Sequence, residues 1–206
     1  MLIITGGNFG ADVARRIARM GSEFVLCDVN APAEETYELV AAHELVLLAV
    51  WRPYIDFARG LDEACHDHGR PWAAAEVSGT TLTCGPLFVP GSGKGCYGCL
   101  LARVDSHQRS GDRTRALRQA YAADPALGPG GYTGPMAAIA AAALVEAAAG
   151  GATGRFRKLD LLTGSVLETE LIPRHDCPHC RPAPAGYIPT SRFIESMVPQ
   201  LEDILA

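Results

Sequence analysis

The chain has 206 residues, 48% of them hydrophobic and 20% charged, with a formal net charge of −5. That length suffices for one domain with a core of its own. The acidic balance and scattered arginines exclude a phosphate-binding stripe, so no nucleic-acid partner is expected.

The start, "MLIIT", lacks a basic region followed by a cleavable apolar run, so no signal peptide is expected. The most apolar stretch, "MAAIAAAALVEAAAG" from Met136, is too short to span a bilayer and carries Glu146, which predicts a buried helix and no membrane partner. The expected compartment is a reducing cytoplasm. There, paired cysteines are more often metal ligands or redox groups than disulfides.

In chain order, "LIIT", "GGNFG" and "ADVARRIARMG" read as strand, tight turn and helix, with Val13, Ile17 and Met20 on one face and Gly21 as the stop. "EFVLCDVN" is a second strand closing on Asp28. "ELVLLAV", Glu44 to Val50, is a continuous apolar run of the kind found in central parallel strands. A helix follows, with Phe57, Leu61 and Cys65 on one face, and then the strand "PWAAAEV".

After "TLTCGPLFVP" the pattern changes to a loop, a polar helix ("GDRTRALRQAYAAD"), "GPGGYTGP" and the Ala-rich helix. "GRFRKLDLL" and "SVLETELI", joined at Thr163-Gly164, predict a hairpin. The expected fold is α/β, a doubly wound, Rossmann-like and mostly parallel sheet with a C-terminal β-hairpin and a four-cysteine zinc site. Residues 1–182 form the domain; 183–206 hold a Pro-rich linker and a C-terminal amphipathic helix, with Phe193, Ile194, Met197, Val198 and Leu201 on one face and Pro199 interrupting it.

Thr5-Gly6-Gly7-Asn8-Phe9-Gly10 stands where a dinucleotide fingerprint would stand, with Thr5 in the first glycine position. Gly6, Gly7 and Gly10 are candidate cofactor-binding positions, and Asp28 is placed to hold ribose hydroxyls. A tight turn that needs glycine for geometry alone explains the same residues.

Cys96-Tyr97-Gly98-Cys99 and Cys177-Pro178-His179-Cys180 are two Cys-x-x-Cys units. Each supplies two thiolates at the bite of a tetrahedral zinc, so Cys96, Cys99, Cys177 and Cys180 are the candidate metal ligands. Four thiolates leave no open position for water, which points to a structural rather than a catalytic zinc. A redox dithiol would need two such motifs for no clear reason, and disulfides conflict with a reducing compartment. Cys27, Cys65 and Cys84 read as small buried apolar residues. His175 and His179 flank the second unit and read as its solvated neighbours. Trp51 and Arg52, just past a central strand, either touch a ligand or cover the sheet's edge.

"GPLFVPGSGKGCYGCLLAR", the "GPM" start of the Ala-rich helix, "LDLLTG" and "RHDCPHC" occur in that order, and with the strand–turn–helix opening the chain resembles the ThiF-like superfamily of adenylating proteins. Within it, the layout is similar to the cyclodehydratase-partner proteins of azole-containing ribosomal peptide biosynthesis. The resemblance runs from the first strand to Cys180. It implies a nucleotide-binding-type fold with a four-cysteine structural zinc, a homodimer, and a YcaO-type cyclodehydratase and a precursor peptide as partners.

The sequence departs from the superfamily's active members. They carry an Asn, an Arg and a Lys after the acidic end of the second strand to handle ATP phosphates, whereas "CDVNAPAEETYELVAAHELVLLAV" holds neither Arg nor Lys. Adenylyl transfer needs cations against developing charge, which argues against catalysis with ATP; ATP stays a cofactor candidate at the glycine turn, and no catalytic residue is assigned. Lys94 lies beside the first cysteine pair. The chain opens directly at the sheet, so the winged-helix peptide-recognition module of such partners is not expected in it. An adenylating enzyme acting on a peptide or carrier C-terminus is the alternative.

Overall fold

A computed structural model describes residues 1–106, 111–124, 126–129, 131–175 and 177–180, with 112–114 as backbone only. The linker and amphipathic helix expected over 183–206 lie outside these residues.

β1 (Leu2–Gly6) is buried along its whole length, and α1 (Gly7–Arg19) starts at the very next residue. Val13 and Ile17 of α1 are buried on the sheet, whereas Met20 is 53% exposed. The helix ends at Arg19, so Met20 caps it beyond the last turn that reaches the core. β2 (Val25–Asp28) pairs parallel with β1, α2 (Ala33–Ala42) follows, and β3 (Val46–Val50) pairs parallel with the other side of β1. β3 is buried at every position, because both faces of a central strand are covered by helices. α3 (Ile55–Asp67) leads to β4 (Trp72–Ser78), parallel to β3 with Val50 level with Glu76.

The direction then reverses. β5 (Thr81–Phe88) pairs antiparallel with β4, so "TLTCGPLF", given no element from sequence, is a strand. Its alternate residues Leu82 and Cys84 are buried, a period-two pattern that "TLTCGPLF" does carry. α4 (Tyr97–Ser106), α5 (Gly111–Ala123) and α6 (Gly134–Ala148) follow. β6 (Arg155–Asp160) then pairs antiparallel with β5, and β7 (Val166–Glu170) antiparallel with β6.

The seven-stranded sheet has the order β2-β1-β3-β4-β5-β6-β7. One apolar cluster joins α1 and α6 to one face of the sheet; a second, around Leu48, Leu61 and Trp72, joins α3 and α4 to the opposite face. α6 buries Ala137, Ala140, Ala141, Leu144 and Ala147, and its small side chains let it lie close to α1. Among the described residues no helix is long and apolar enough to cross a membrane.

The chain leaves β1 for β2 on one side and returns to β3 on the other. The C-terminal ends of β1 and β3 therefore border a crevice of the kind in which open α/β sheets bind ligands.

Candidate metal centre

The loop after β5 turns into α4 at Cys96-Tyr97, so Cys96 and Cys99 bracket the helix's first turn, and Leu100 N–H donates to the Cys96 carbonyl at 3.1 Å. The second pair arrives from the far end of the sheet. Past β7, Leu171 is buried and its carbonyl accepts from Gly95 N–H at 3.3 Å. A Cβ on Gly95 would lie 2.7 Å from Leu171 Cγ, so only glycine allows this approach. One helical turn further on, Arg103 of α4 donates through Nε and Nη2 to the Ile172 carbonyl at 3.1 and 2.9 Å. These contacts deliver Cys177 and Cys180 to the first pair.

The four sulfurs all lie within 4.8 Å of one another. Cys96 Sγ is 3.5 Å from Cys177 Sγ and 3.9 Å from Cys99 Sγ. A tetrahedral ion with metal–sulfur bonds of about 2.3 Å requires sulfurs about 3.8 Å apart, so the spacing suits zinc. All seven cysteines are free, and these separations are far outside a disulfide bond. Two backbone amides point at the cluster: Cys96 N–H to Cys180 Sγ at 3.0 Å and Arg174 N–H to Cys99 Sγ at 3.3 Å. Cys99 and Cys177 are buried and Cys96 and Cys180 half-buried.

Burial pushes the Cys96 thiol up and the Cys180 thiol up to about 12. Burial acts on Cys177 in the same sense but is outweighed by the backbone amides of Cys180 and His179 and by the neighbouring thiols, which hold it below the ordinary thiol value. Four thiolates at this spacing repel one another unless a cation lies between them, and that is what a divalent ion supplies.

The surroundings hold a residue that sequence reading passed over. Asp62 of α3 is 7% exposed, accepts from Trp72 Nε1 at 3.0 Å, and has an oxygen within 4.8 Å of donor atoms on Cys96 and His179. Burial pushes its carboxyl up, against the opposing pull of Trp72, the Tyr97 and Gly98 amides and His179. The signal was present in the sequence: Asp62 shares the face of Ala58, Leu61 and Cys65, where a carboxylate needs partners. His179 is likewise more than a solvated neighbour, since its half-buried ring stacks on His66 at 4.4 Å.

At the other end of the sheet, Gly6, Gly7, Gly10 and Asp28 gather where β1 and β2 end. Gly10 is a packing residue, because a Cβ there would lie 2.3 Å from the Ala49 carbonyl oxygen. Gly7 has φ +66°, and a Cβ on it would lie 2.6 Å from Trp51 Cδ1. The same indole lies against Gly128, where a Cβ would be 2.4 Å from Cζ3, and Trp51 Nε1 donates to Tyr54 Oη at 3.1 Å. Tyr132 closes over the turn, donating to the Asn8 carbonyl at 3.1 Å and meeting Phe9 edge-on at 5.4 Å. A cleft of about 400 Å³ remains between Gly7, Trp51 and Tyr132. Asp28 is exposed, and its Oδ1 accepts from the Asn30 backbone and side-chain nitrogens, both at 2.8 Å.

No family model matches the sequence, and no curated protein does. Solved structures do resemble it. The heterocyclase TruD superposes with a TM-score of 0.59 at 18% identity, over 87% of this chain and 27% of that one. The E. coli microcin synthetase McbBCD complex gives 0.60 at 11%, over 85% and 67%. E. coli MccB with AMPCPP and MccA gives 0.60 at 13%, over 87% and 66%. This chain thus has the fold found in heterocyclase and microcin synthetase proteins, and it spans about a quarter of TruD's length.

Proposed function

We propose that this chain is a non-catalytic, ThiF-like partner protein in the making of azol(in)e-modified ribosomal peptides, assisting a YcaO-type cyclodehydratase. In this reading the sheet is a Rossmann-type nucleotide fold put to use as a scaffold. The observation that carries it is Trp51, whose indole lies against Gly7 where a phosphate would need an open glycine backbone. The absence of Arg and Lys from 29–45 supports it as well. The likeness to a heterocyclase and to a microcin synthetase complex supplies the biosynthetic setting.

Cys96, Cys99, Cys177 and Cys180 would hold a structural zinc, whose contribution is a cross-link between the loop before α4 and the segment after β7. The chain's own residues then do the positioning: Arg103 holds the second cysteine pair near the first, and Asp62 ties α3 and Trp72 to the start of α4. The working form is a cytoplasmic homodimer bound to the enzyme and its precursor peptide.

The test is co-expression with a YcaO-type cyclodehydratase and a precursor peptide. Co-purification, one zinc per chain and no ATP–pyrophosphate exchange are expected; peptide-dependent exchange by this chain alone would overturn the reading. The second reading is an adenylating enzyme acting on a peptide or carrier C-terminus. It draws on the place of Gly6, Gly7, Gly10 and Asp28 at the sheet's crevice, and the same exchange assay would establish it.

A further inference from the structure

The sequence offers no cation between Asp28 and β3, yet folding brings three arginines to the same end of the sheet. They line a cleft of about 330 Å³ between the start of α3 and the C-terminal half of α5, on the far side of Tyr54 from the glycine turn. Arg52 is only 4% exposed. Its guanidinium lies between the rings of Tyr54 and Tyr121, 4.3 and 4.8 Å from their centroids, and Nη1 donates to the Tyr121 carbonyl at 3.1 Å. An arginine held against two rings and a carbonyl is fixed in orientation, so its charge is presented to the cleft with little freedom left to lose. Arg118 enters from α5 with Asp105 at 2.6 Å, and Arg59 stands exposed on α3. Among the described residues, three arginines and one carboxylate, Asp56, line the cleft, on a chain of net charge −5.

With Asp105 on Arg118 and Asp56 in the same lining, the cleft suits a single carboxylate rather than a di- or triphosphate. Ile55 and Phe57 give the same cleft an apolar wall, which fits the hydrocarbon of a peptide beside its acidic side chain. We propose that this cleft binds an acidic segment of a peptide, seating a side-chain carboxylate among Arg52, Arg59 and Arg118. That the peptide is a biosynthetic precursor rests on the function proposed above; the charge and shape of the cleft do not.

The test uses the full zinc-loaded chain and fluorescence anisotropy. The probe is a fluorescein-labelled, C-terminally amidated decapeptide alternating Glu and Leu, with its Gln–Leu counterpart as control. The Glu peptide is expected to bind about tenfold or more tightly than the Gln peptide, and Arg59→Gln to remove about tenfold of that binding, as the loss of a charge-assisted hydrogen bond does. Arg118→Gln should weaken it similarly; Arg59 projects into solvent, so its variant decides the matter even if Arg118→Gln fails to fold. Equal binding of both peptides, an unchanged Arg59→Gln, or displacement by pyrophosphate at lower concentrations than by glutarate would each overturn the proposal. Co-purification with the cyclodehydratase is read on the parent chain. Its absence with peptide discrimination intact counts against the proposed function, whereas co-purification without discrimination counts against this site alone.

Discussion

Cys96 is tied to each of the other three ligand candidates: its sulfur meets those of Cys99 and Cys177, and its amide donates to Cys180 Sγ. Replacing it should remove the ion, not tune it. Cys96→Ser is expected to lose all bound zinc and most soluble protein, read by metal analysis of the purified chain. Glu76 is a different kind of residue, a half-buried carboxyl on β4 level with Val50. Burial pushes it up to about 7 from 4.5, so the fold favours its protonated form. Its stability contribution is therefore complete below pH 4.5 and is lost as pH rises through 7, a loss of no more than about 3 kcal/mol. Glu76→Gln cannot ionise, and its urea unfolding free energy should stay flatter than the parent's between those pH values. An equally steep decline in the variant would refute the assignment.

Among the elements, α4 does the most for the site. Cys96 immediately precedes it, its first turn carries Cys99 and its next Arg103, and the Arg103–Ile172 contact holds the strand end from which Cys177 and Cys180 follow. Hydrogen bonds from a charged donor contribute about 1.5–3 kcal/mol, lowered here by exposure. Arg103→Ala should thus keep zinc but release it faster to a chelator, with apparent affinity down by roughly tenfold and the fold intact. Unaltered release kinetics would mean that Leu171 and Gly95 suffice. The outer strands contribute by charge: Arg157 of β6 pairs with Glu146 of α6 and with Glu168 of β7, which fastens the antiparallel edge to the helical layer. That pairing leaves Glu146 below the usual carboxylate range, chiefly through the Arg157 hydrogen bond.

Across the whole molecule, the cysteine cluster joins positions 81 residues apart in sequence. Closing a loop of that length removes about 4–5 kcal/mol of disorder from the unfolded chain if the cross-link acts as a disulfide does. Chelation is accordingly expected to lower the thermal midpoint by roughly 10 °C or more at this chain length, measured by scanning calorimetry with and without added zinc. A midpoint insensitive to chelator would show that the apolar clusters on the two faces hold the sheet without help.

Much of this was written locally. β1, the turn and α1, the buried run of β3 and the two Cys-x-x-Cys units rest on spacing alone, because strand and helix periods and metal bite are properties of a few neighbouring residues. β5 escaped notice because Gly85 and Pro86 mask a strand otherwise marked by alternation, and α2 because its buried face is only Thr36 and Val40. Three things had no local signature at all. The indole of Trp51 lies on Gly7 because β1 and β3 are neighbours; Asp62 reaches Cys96 because α3 and α4 share a face; Arg52, Arg59 and Arg118 surround one cleft because α5 folds back over the end of β3. The sequence by itself determined which residues could ligate, turn or pack. Which of them meet was decided by tertiary structure, since contact across 34 to 66 positions depends on strand order and layer packing, which no short stretch encodes.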